Sequence, residues 1–348
     1  MKKDNQLIHS HTKEKLQVYK SYLDLYLTIL LNNKYICGIN IYEPFAGYGK
    51  YDNDDGSALI SCKIISEKQI HKNIPINLFL NDTDIQAYNS LQNHCNKYTK
   101  FITKQDASDF INSIFKDAKN KYSDYHKFYF IDPYGYSQIK IEDIQKLLQL
   151  KKTELLFFIP ISHIYRFRKA TDLNPSISQF IDSYQINTNN INTENDLIDN
   201  IEESFKKIFS TNPYYICSYP LTKKTSSNKY SLFFISQHIL GAEKFLELCY
   251  KIRKDGDLFG TNPLFEEKNI NKLYQFIKSE RAINNIHLYE YLIKNSCLPK
   301  HFTEAIKEKR LKNIKISNNN KNYNINYKNY KDKKVKTLFE ILNGEQYE

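Results

Sequence analysis

Asp132-Pro133-Tyr134-Gly135-Tyr136 sets a carboxylate, a main-chain carbonyl and two aromatic rings within five residues, directly after the apolar run Phe128–Ile131. The exocyclic amine of a nucleobase is a weak nucleophile because its lone pair is delocalised into the ring. The Asp132 carboxylate and the Pro133 carbonyl can accept its N–H bonds and align that lone pair for in-line attack, while Tyr134 or Tyr136 stacks on the base. The same pentapeptide also suits a strand-ending Asp-Pro turn with tyrosine packed in a core. Three further motifs close apolar runs with an acid: Glu43-Pro44-Phe45-Ala46-Gly47-Tyr48-Gly49, Asn81-Asp82-Thr83-Asp84 and Asp106-Ala107. Gly47 and Gly49 let the main chain turn tightly and approach a ligand closely. They form neither the G-x-G-x-x-G of a dinucleotide site nor the G-x-x-x-x-G-K-[ST] of a phosphate loop. Glu43 then offers a carboxylate to an ammonium, and Asp82 is placed to accept from ribose hydroxyls. Asp106 could accept from an adenine amino group. Each acid alone is an equally good helix cap; their recurrence at successive strand ends favours a shared ligand.

The glycines gain weight from their scarcity. The chain has 9 among 348 residues, where average usage of roughly 7% would give about 24, and three of them, Gly47, Gly49 and Gly56, fall within ten residues. Lysine-rich, asparagine-rich composition without Trp reads as an A+T-rich coding bias, so glycine is expected to persist where the backbone needs it.

These motifs need elements to hold them. Apolar positions at Leu16, Tyr19, Leu23, Tyr26, Leu27, Leu30 and Leu31 have a helical period. Strands are expected at 39–42, 76–80, 100–103, 127–131 and 155–159, alternating with helices at 57–68, 85–95, 108–119 and 141–150, which implies a parallel sheet with helices on both faces. After a polar Asn-rich stretch at 187–200 and a helix at 197–209, β-rich runs at 214–220 and 229–236 imply a closing hairpin. The expected fold is α/β, a Rossmann-like sheet of parallel strands ending in an antiparallel hairpin. That arrangement fits class I S-adenosylmethionine (SAM) methyltransferases better than dehydrogenases. Residues 256–263 are the expected linker between a domain at 1–258 and a second at 262–348. In the latter, helices at 269–279, 286–296 and 300–309 and short runs at 313–317 and 323–327 have the order of a winged helix-turn-helix.

Glu43-Pro-Phe-Ala-Gly-Tyr-Gly, Tyr26-Leu-Thr-Ile-Leu-Leu, Phe130-Ile-Asp-Pro-Tyr-Gly and Tyr230-Ser-Leu-Phe-Phe-Ile-Ser-Gln-His together resemble the three-Cys-motif partner (TcmP) family of bacterial SAM methyltransferases. The resemblance implies SAM as cofactor, held by Glu43, Phe45, Gly47, Gly49, Asp82, Asp106 and Ala107. It also implies methyl transfer at Asp132, Pro133, Tyr134 and Tyr136, and a three-Cys-motif radical-SAM-like protein as partner. Asp-Pro-Tyr-Gly and Asn-Asp-Thr-Asp are also similar to tRNA guanine-N2 methyltransferases, whereas adenine-N6 enzymes carry Asp-Pro-Pro-Tyr, with a second proline that is missing here. Adenine N6 and guanine N2 both stay open, as do DNA and RNA.

Charge points the same way. Residues 1–200 carry 24 Lys/Arg and 23 Asp/Glu, and residues 201–348 carry 26 and 16, so nearly all of the net +11 belongs to the C-terminal part. A polyanionic partner is favoured there. Lys300, His301, Lys307, Lys309, Arg310 and Lys312 would contact phosphates, and Arg166 and Arg168, after the fifth strand of the first domain, would flank the cofactor side and hold a substrate phosphate. A catalytically silent SAM-fold module that binds nucleic acid or protein is the alternative. The six cysteines lack CxxC or CxH spacing, so no metal site is expected. No apolar run approaches the roughly 20 residues of a membrane span, and a cytoplasmic location without membrane contact is expected.

Overall fold

The computed structural model describes residues 10–340 apart from 53, 70–73, 170–173, 211–212, 222–228, 256–270, 274, 278, 280–281, 308–314, 317–324 and 334–336. The chain divides into two compact units, Met1–Gly241 and Ala242–Glu348; the expected linker at 256–263 lies outside the described residues.

In the first unit, α1 (Ser10–Leu31) precedes β1 (Ile39–Glu43), a small ribbon of β2 (Lys50–Tyr51) and β3 (Asp54–Asp55), α2 (Ser57–Gln69), β4 (Ile76–Asn81), α3 (Ile85–Cys95), β5 (Phe101–Thr103) and α4 (Ala107–Asn120). There follow β6 (His126–Ile131), α5 (Ile141–Gln149), β7 (Thr153–Pro160), α6 (Ile161–Phe167), α7 (Pro175–Ser183), α8 (Glu194–Ile208), β8 (Tyr215–Leu221) and β9 (Tyr230–Ser236), with α9 (Ile239–Asp255) leading out of the unit. Seven strands form one sheet of order β5-β4-β1-β6-β7-β9-β8. β5, β4, β1, β6 and β7 are parallel, and β9 runs antiparallel to β7 and β8. The expected Rossmann-like sheet with its terminal hairpin is therefore the one observed. The chain leaves β1 towards β4 on one side and resumes with β6 on the other, so the carboxyl ends of β1 and β6 flank a topological switch point, where open α/β sheets bind ligands.

Alternation along the central strands builds two aromatic layers. Phe128 and Phe130 of β6 turn to α1, where Tyr19 stacks on Phe130 at 4.2 Å. Tyr129 turns to the other face, stacked on Tyr42, which in turn stacks on Phe79; these three are register partners across β6, β1 and β4. That ladder joins the core formed with Phe110, Ile144, Leu197 and Phe205 of α4, α5 and α8. On the α1 face, Lys15, Tyr19 and Tyr22 follow helical spacing and each ends on a carboxylate: Asp132, Glu43 and Glu154 respectively. Burying polar tips is tolerable only with such partners.

In the second unit, β10 (Ala282–Asn284), β11 (Lys315–Ile316) and β12 (Thr337–Glu340) form an antiparallel sheet of order β10-β12-β11, and helices span Asn285–Lys294 and Pro299–Lys307. The expected run at 323–327 does not supply the partner strand. Among its described residues, Asn326 caps a short helix, Tyr327–Lys331, by accepting the Asn329 N–H at 2.9 Å. An Asn cap ahead of Tyr-Lys-Asn-Tyr-Lys favours a helical turn over a pleat, and β12 pairs with β11 instead.

Candidate functional site

The loop after β1 turns on Gly47 and Gly49, with φ of +61° and +70°. Positive φ is strained for any residue bearing a Cβ. At Gly47 a Cβ would also lie 2.9 Å from the Tyr51 hydroxyl and 3.3 Å from that of Tyr134, so the backbone there is closely overlaid. Asn81 ties this loop to its neighbours: its amide donates to the carbonyls of Pro44 and Gln105, and its oxygen accepts from the Thr103 hydroxyl and the Gln105 N–H. The Asn81 carbonyl accepts the Ala46 N–H at 2.9 Å. Asn81 was read from sequence only as part of a strand-end motif; its cross-strand role depends on β4 lying between β1 and β5.

Asp82 is 2% exposed. Oδ2 accepts the Gly47 N–H at 2.9 Å and the Tyr134 hydroxyl at 3.3 Å, and Oδ1 accepts the Asp84 N–H at 3.0 Å. Glu43 is completely buried. Its Oε1 accepts from the hydroxyls of Tyr19 and Ser61 at 2.8 and 2.7 Å, while Oε2 is a buried atom without a partner among the described residues. Burial raises the Glu43 carboxyl above its usual range, opposed by hydroxyl hydrogen bonds and reinforced by the nearby charge of Asp132. Phe45 packs into the core. Asp106 caps α4 by accepting the Ser108 N–H at 2.9 Å, and Ala107 is buried behind it.

Asp132 closes β6 next to the glycine loop. Lys15 of α1 donates to its Oδ2 in an ion pair whose side chains are 8% and 23% exposed, Lys15 first. The Lys15 ammonium also sits 4.3 Å from the centroid of the Phe158 ring. Lys15 was absent from the sequence reading. Its signal was its place four residues before Tyr19 on a face otherwise ending in tyrosines.

Tyr134 is 64% exposed and reaches from the Asp132 turn across Gly47 to Asp82. Tyr136 turns the other way; its hydroxyl donates to the Pro160 carbonyl at 2.7 Å and its ring tilts against Phe180. A cavity of about 240 Å3 opens along Pro133–Tyr136, lined also by Phe157, Phe158, Phe180, Tyr230, His163 and Lys229. Its volume is below the roughly 300 Å3 at which drug-sized ligand pockets begin, and aromatic rings make up much of its wall, beside Ile139, Ile159 and Pro160.

The basic residues are dispersed. Arg166 is exposed in the last turn of α6. Arg168 donates to the carbonyls of Tyr165 and Ile191 and lies over the Tyr165 ring, so it braces the 185–193 loop. In the second unit Lys300 is exposed and Lys307 ends the helix Pro299–Lys307; Lys309, Arg310 and Lys312 lie outside the described residues. His301 is 8% exposed, accepts the Leu298 N–H on Nδ1 at 3.0 Å and abuts the Tyr250 ring. Burial, with Lys300 beside it, pushes its pKa down to about 4. A buried neutral imidazole does not serve as a phosphate contact, which removes His301 from the expected basic set.

No protein-family model matches the chain, and no curated protein matches it in sequence. Among solved structures it is similar to DszA carbon methyltransferase, with 12% identity over 66% of this chain and 56% of that one and a TM-score of 0.40. It is also similar to a candidate class I SAM-dependent methyltransferase from Listeria monocytogenes, with 12% identity over 67% and 63% and a TM-score of 0.33. A third is the O-methyltransferase TomG from Streptomyces achromogenes in complex with SAM, with 9% identity over 67% and 92% and a TM-score of 0.32. The chain spans less than two thirds of the first two.

Proposed function

We propose that this chain is a SAM-dependent methyltransferase acting on an exocyclic base amine of nucleic acid, adenine N6 or guanine N2. The observation that carries this reading is the placement of Pro133 and Tyr134, directly after Asp132, on the wall of a largely aromatic cavity, one strand away from the positive-φ glycine loop at the switch point of the sheet.

The residues fit SAM. Gly47 and Gly49 supply a backbone without Cβ atoms, Asp82 a carboxylate at the end of β4, and Glu43 a buried carboxylate oxygen with no hydrogen-bond donor in reach among the described residues. When bound, SAM supplies an electrophilic methyl group on a sulfonium. Asp132 and the Pro133 carbonyl accept the N–H bonds of the target amine and fix its lone pair in line, and the Asp132 carboxylate takes up the proton that the methylated amine releases. The aromatic walls of the cavity hold the base by stacking. Residues 201–348, with their excess of lysine, attract the phosphate backbone. From β10 on, the strand–helix–helix–strand–helix–strand order of the second unit, with its three-stranded antiparallel sheet, supports a winged-helix reading of that unit. The sequence resemblance to three-Cys-motif partner proteins adds a radical-SAM-like protein as proposed partner. Nucleoside mass spectrometry of DNA and RNA from cells with and without the protein tests the reading: a methylated base that disappears with the gene supports it, and identical nucleoside profiles count against it.

A further inference from the structure

Lys15 is more than nine-tenths buried, and an ammonium has three N–H donors. Its ion pair with Asp132 uses one, and the Phe158 ring covers another direction. Burying a charge this deeply is costly unless its hydrogen-bonding capacity is filled. Phe158 is itself a wall of the aromatic cavity, and Asp132 heads the Pro133–Tyr136 segment that borders it. A fixed acceptor and a fixed donor therefore stand side by side, each against a residue that lines the cavity: Asp132 precedes Pro133 in the chain, and Lys15 lies over the Phe158 ring.

We propose that Lys15 is a target-contacting residue: held on Asp132 and against Phe158, its ammonium donates to the ring nitrogen adjoining the amine whose N–H bonds Asp132 accepts. This deepens the methyltransferase reading above and rests on it. A donor beside an acceptor complements an amine conjugated to a ring nitrogen, the N6/N1 edge of adenine or the N2/N3 edge of guanine. The same positive charge opposes an alkyl ammonium, so lysine side chains and polyamines are rejected by like charge as well as by shape.

The test uses the full chain with tritiated SAM and nucleic acid, comparing the native protein with Lys15→Met and Lys15→Arg. Lys15→Met is expected to raise the KM for nucleic acid at least tenfold while the affinity for S-adenosylhomocysteine stays within twofold, and Lys15→Arg to recover most of the loss. The decisive arm pairs the acceptor base, identified by mass spectrometry, with its deaza analogue in which the adjoining ring nitrogen is C–H. The native protein should favour the parent base at least tenfold, and Lys15→Met should treat the two alike. Discrimination retained in Lys15→Met, unchanged kinetics, or loss of S-adenosylhomocysteine binding together with activity overturns the proposal alone. A native protein that binds S-adenosylhomocysteine but labels neither DNA nor RNA overturns the functional reading, and this proposal with it. Because Lys15→Met strands the Asp132 charge, melting temperatures are compared with those of Lys15→Met/Asp132→Asn. An unfolded single variant leaves the deaza comparison on the native protein and Lys15→Arg, both of which must favour the parent base at least tenfold; equal use of parent and deaza base by the native protein overturns the proposal.

Discussion

The Tyr134 hydroxyl donates to Oδ2 of Asp82 at 3.3 Å, on the same oxygen that accepts the Gly47 N–H. One tyrosine thus links the target motif after β6 to the carboxylate proposed for the cofactor ribose. Its ring is largely exposed, so the hydroxyl can leave without opening the core. On the proposed function, ribose hydroxyls would compete for Asp82 and free Tyr134 to face the base. Tyr134→Phe should therefore tighten S-adenosylhomocysteine binding by roughly two- to tenfold, the worth of one net hydrogen bond, as read by calorimetry. Weaker binding would mean that Tyr134 supports the cofactor instead of competing with it.

Gly47→Ala forces a Cβ into a backbone with φ of +61° and against the Tyr51 hydroxyl. The left-handed conformation alone costs about 1 to 2 kcal/mol. Chemical denaturation should show a loss of at least that size, and calorimetry a cofactor affinity reduced tenfold or more. Full binding in the variant would show that the glycine loop does not form the cofactor cradle.

Glu154 accepts from the Tyr22 and Ser236 hydroxyls, and burial pushes its pKa up to about 7 from an ordinary 4.5. The folded state therefore holds this proton more tightly than the unfolded state. The stabilisation is complete below about pH 4.5 and is lost as pH rises through 7, an effect on the order of 3 kcal/mol. Glu154→Gln keeps an acceptor for Tyr22 and removes the titration. Urea unfolding should show the native protein losing stability relative to the variant between pH 5 and 7.5, whereas parallel curves would refute the shift.

Binding of the chain to nucleic acid should weaken steeply with salt. Lys300→Ala should lower the slope of log K against log salt by about 1 without changing sequence preference. His301→Ala should leave that slope unchanged and lower stability by about 1 to 3 kcal/mol, because the buried Leu298 N–H loses its acceptor. Filter binding across a salt series, with melting curves alongside, reads both effects.

Local patterning carried most of the sheet. Phe128 to Ile131 alternates across two apolar layers, Asp82 and Asp132 each follow a strand directly, and Asp106 caps the helix three residues after β5, so their places were readable from the chain. Gly47 and Gly49 were legible because glycine is scarce elsewhere. Lys15 was not, since its partner Asp132 is 117 residues away and a lysine at the start of an amphipathic helix ordinarily faces water. Tyr22 and Glu154 were hidden similarly: the tyrosine counted as apolar, and its carboxylate partner sits 132 residues on. The pairing of β11 with β12 was missed because Asn326 reads equally as a turn residue and a helix cap. The Tyr134–Asp82 bond requires β4 and β6 to flank β1, a relation set by the order of the sheet.

The central claim is that Asp132 orients a base amine for methyl transfer. Its most direct measurement is tritium transfer from SAM to DNA and RNA by the native protein and by Asp132→Asn, with S-adenosylhomocysteine affinity measured on both. Labelling of nucleic acid by the native protein, reduced at least 100-fold in Asp132→Asn at unchanged cofactor affinity, is the predicted result. Equal labelling by the two proteins, or none by a native protein that binds the cofactor, would contradict it.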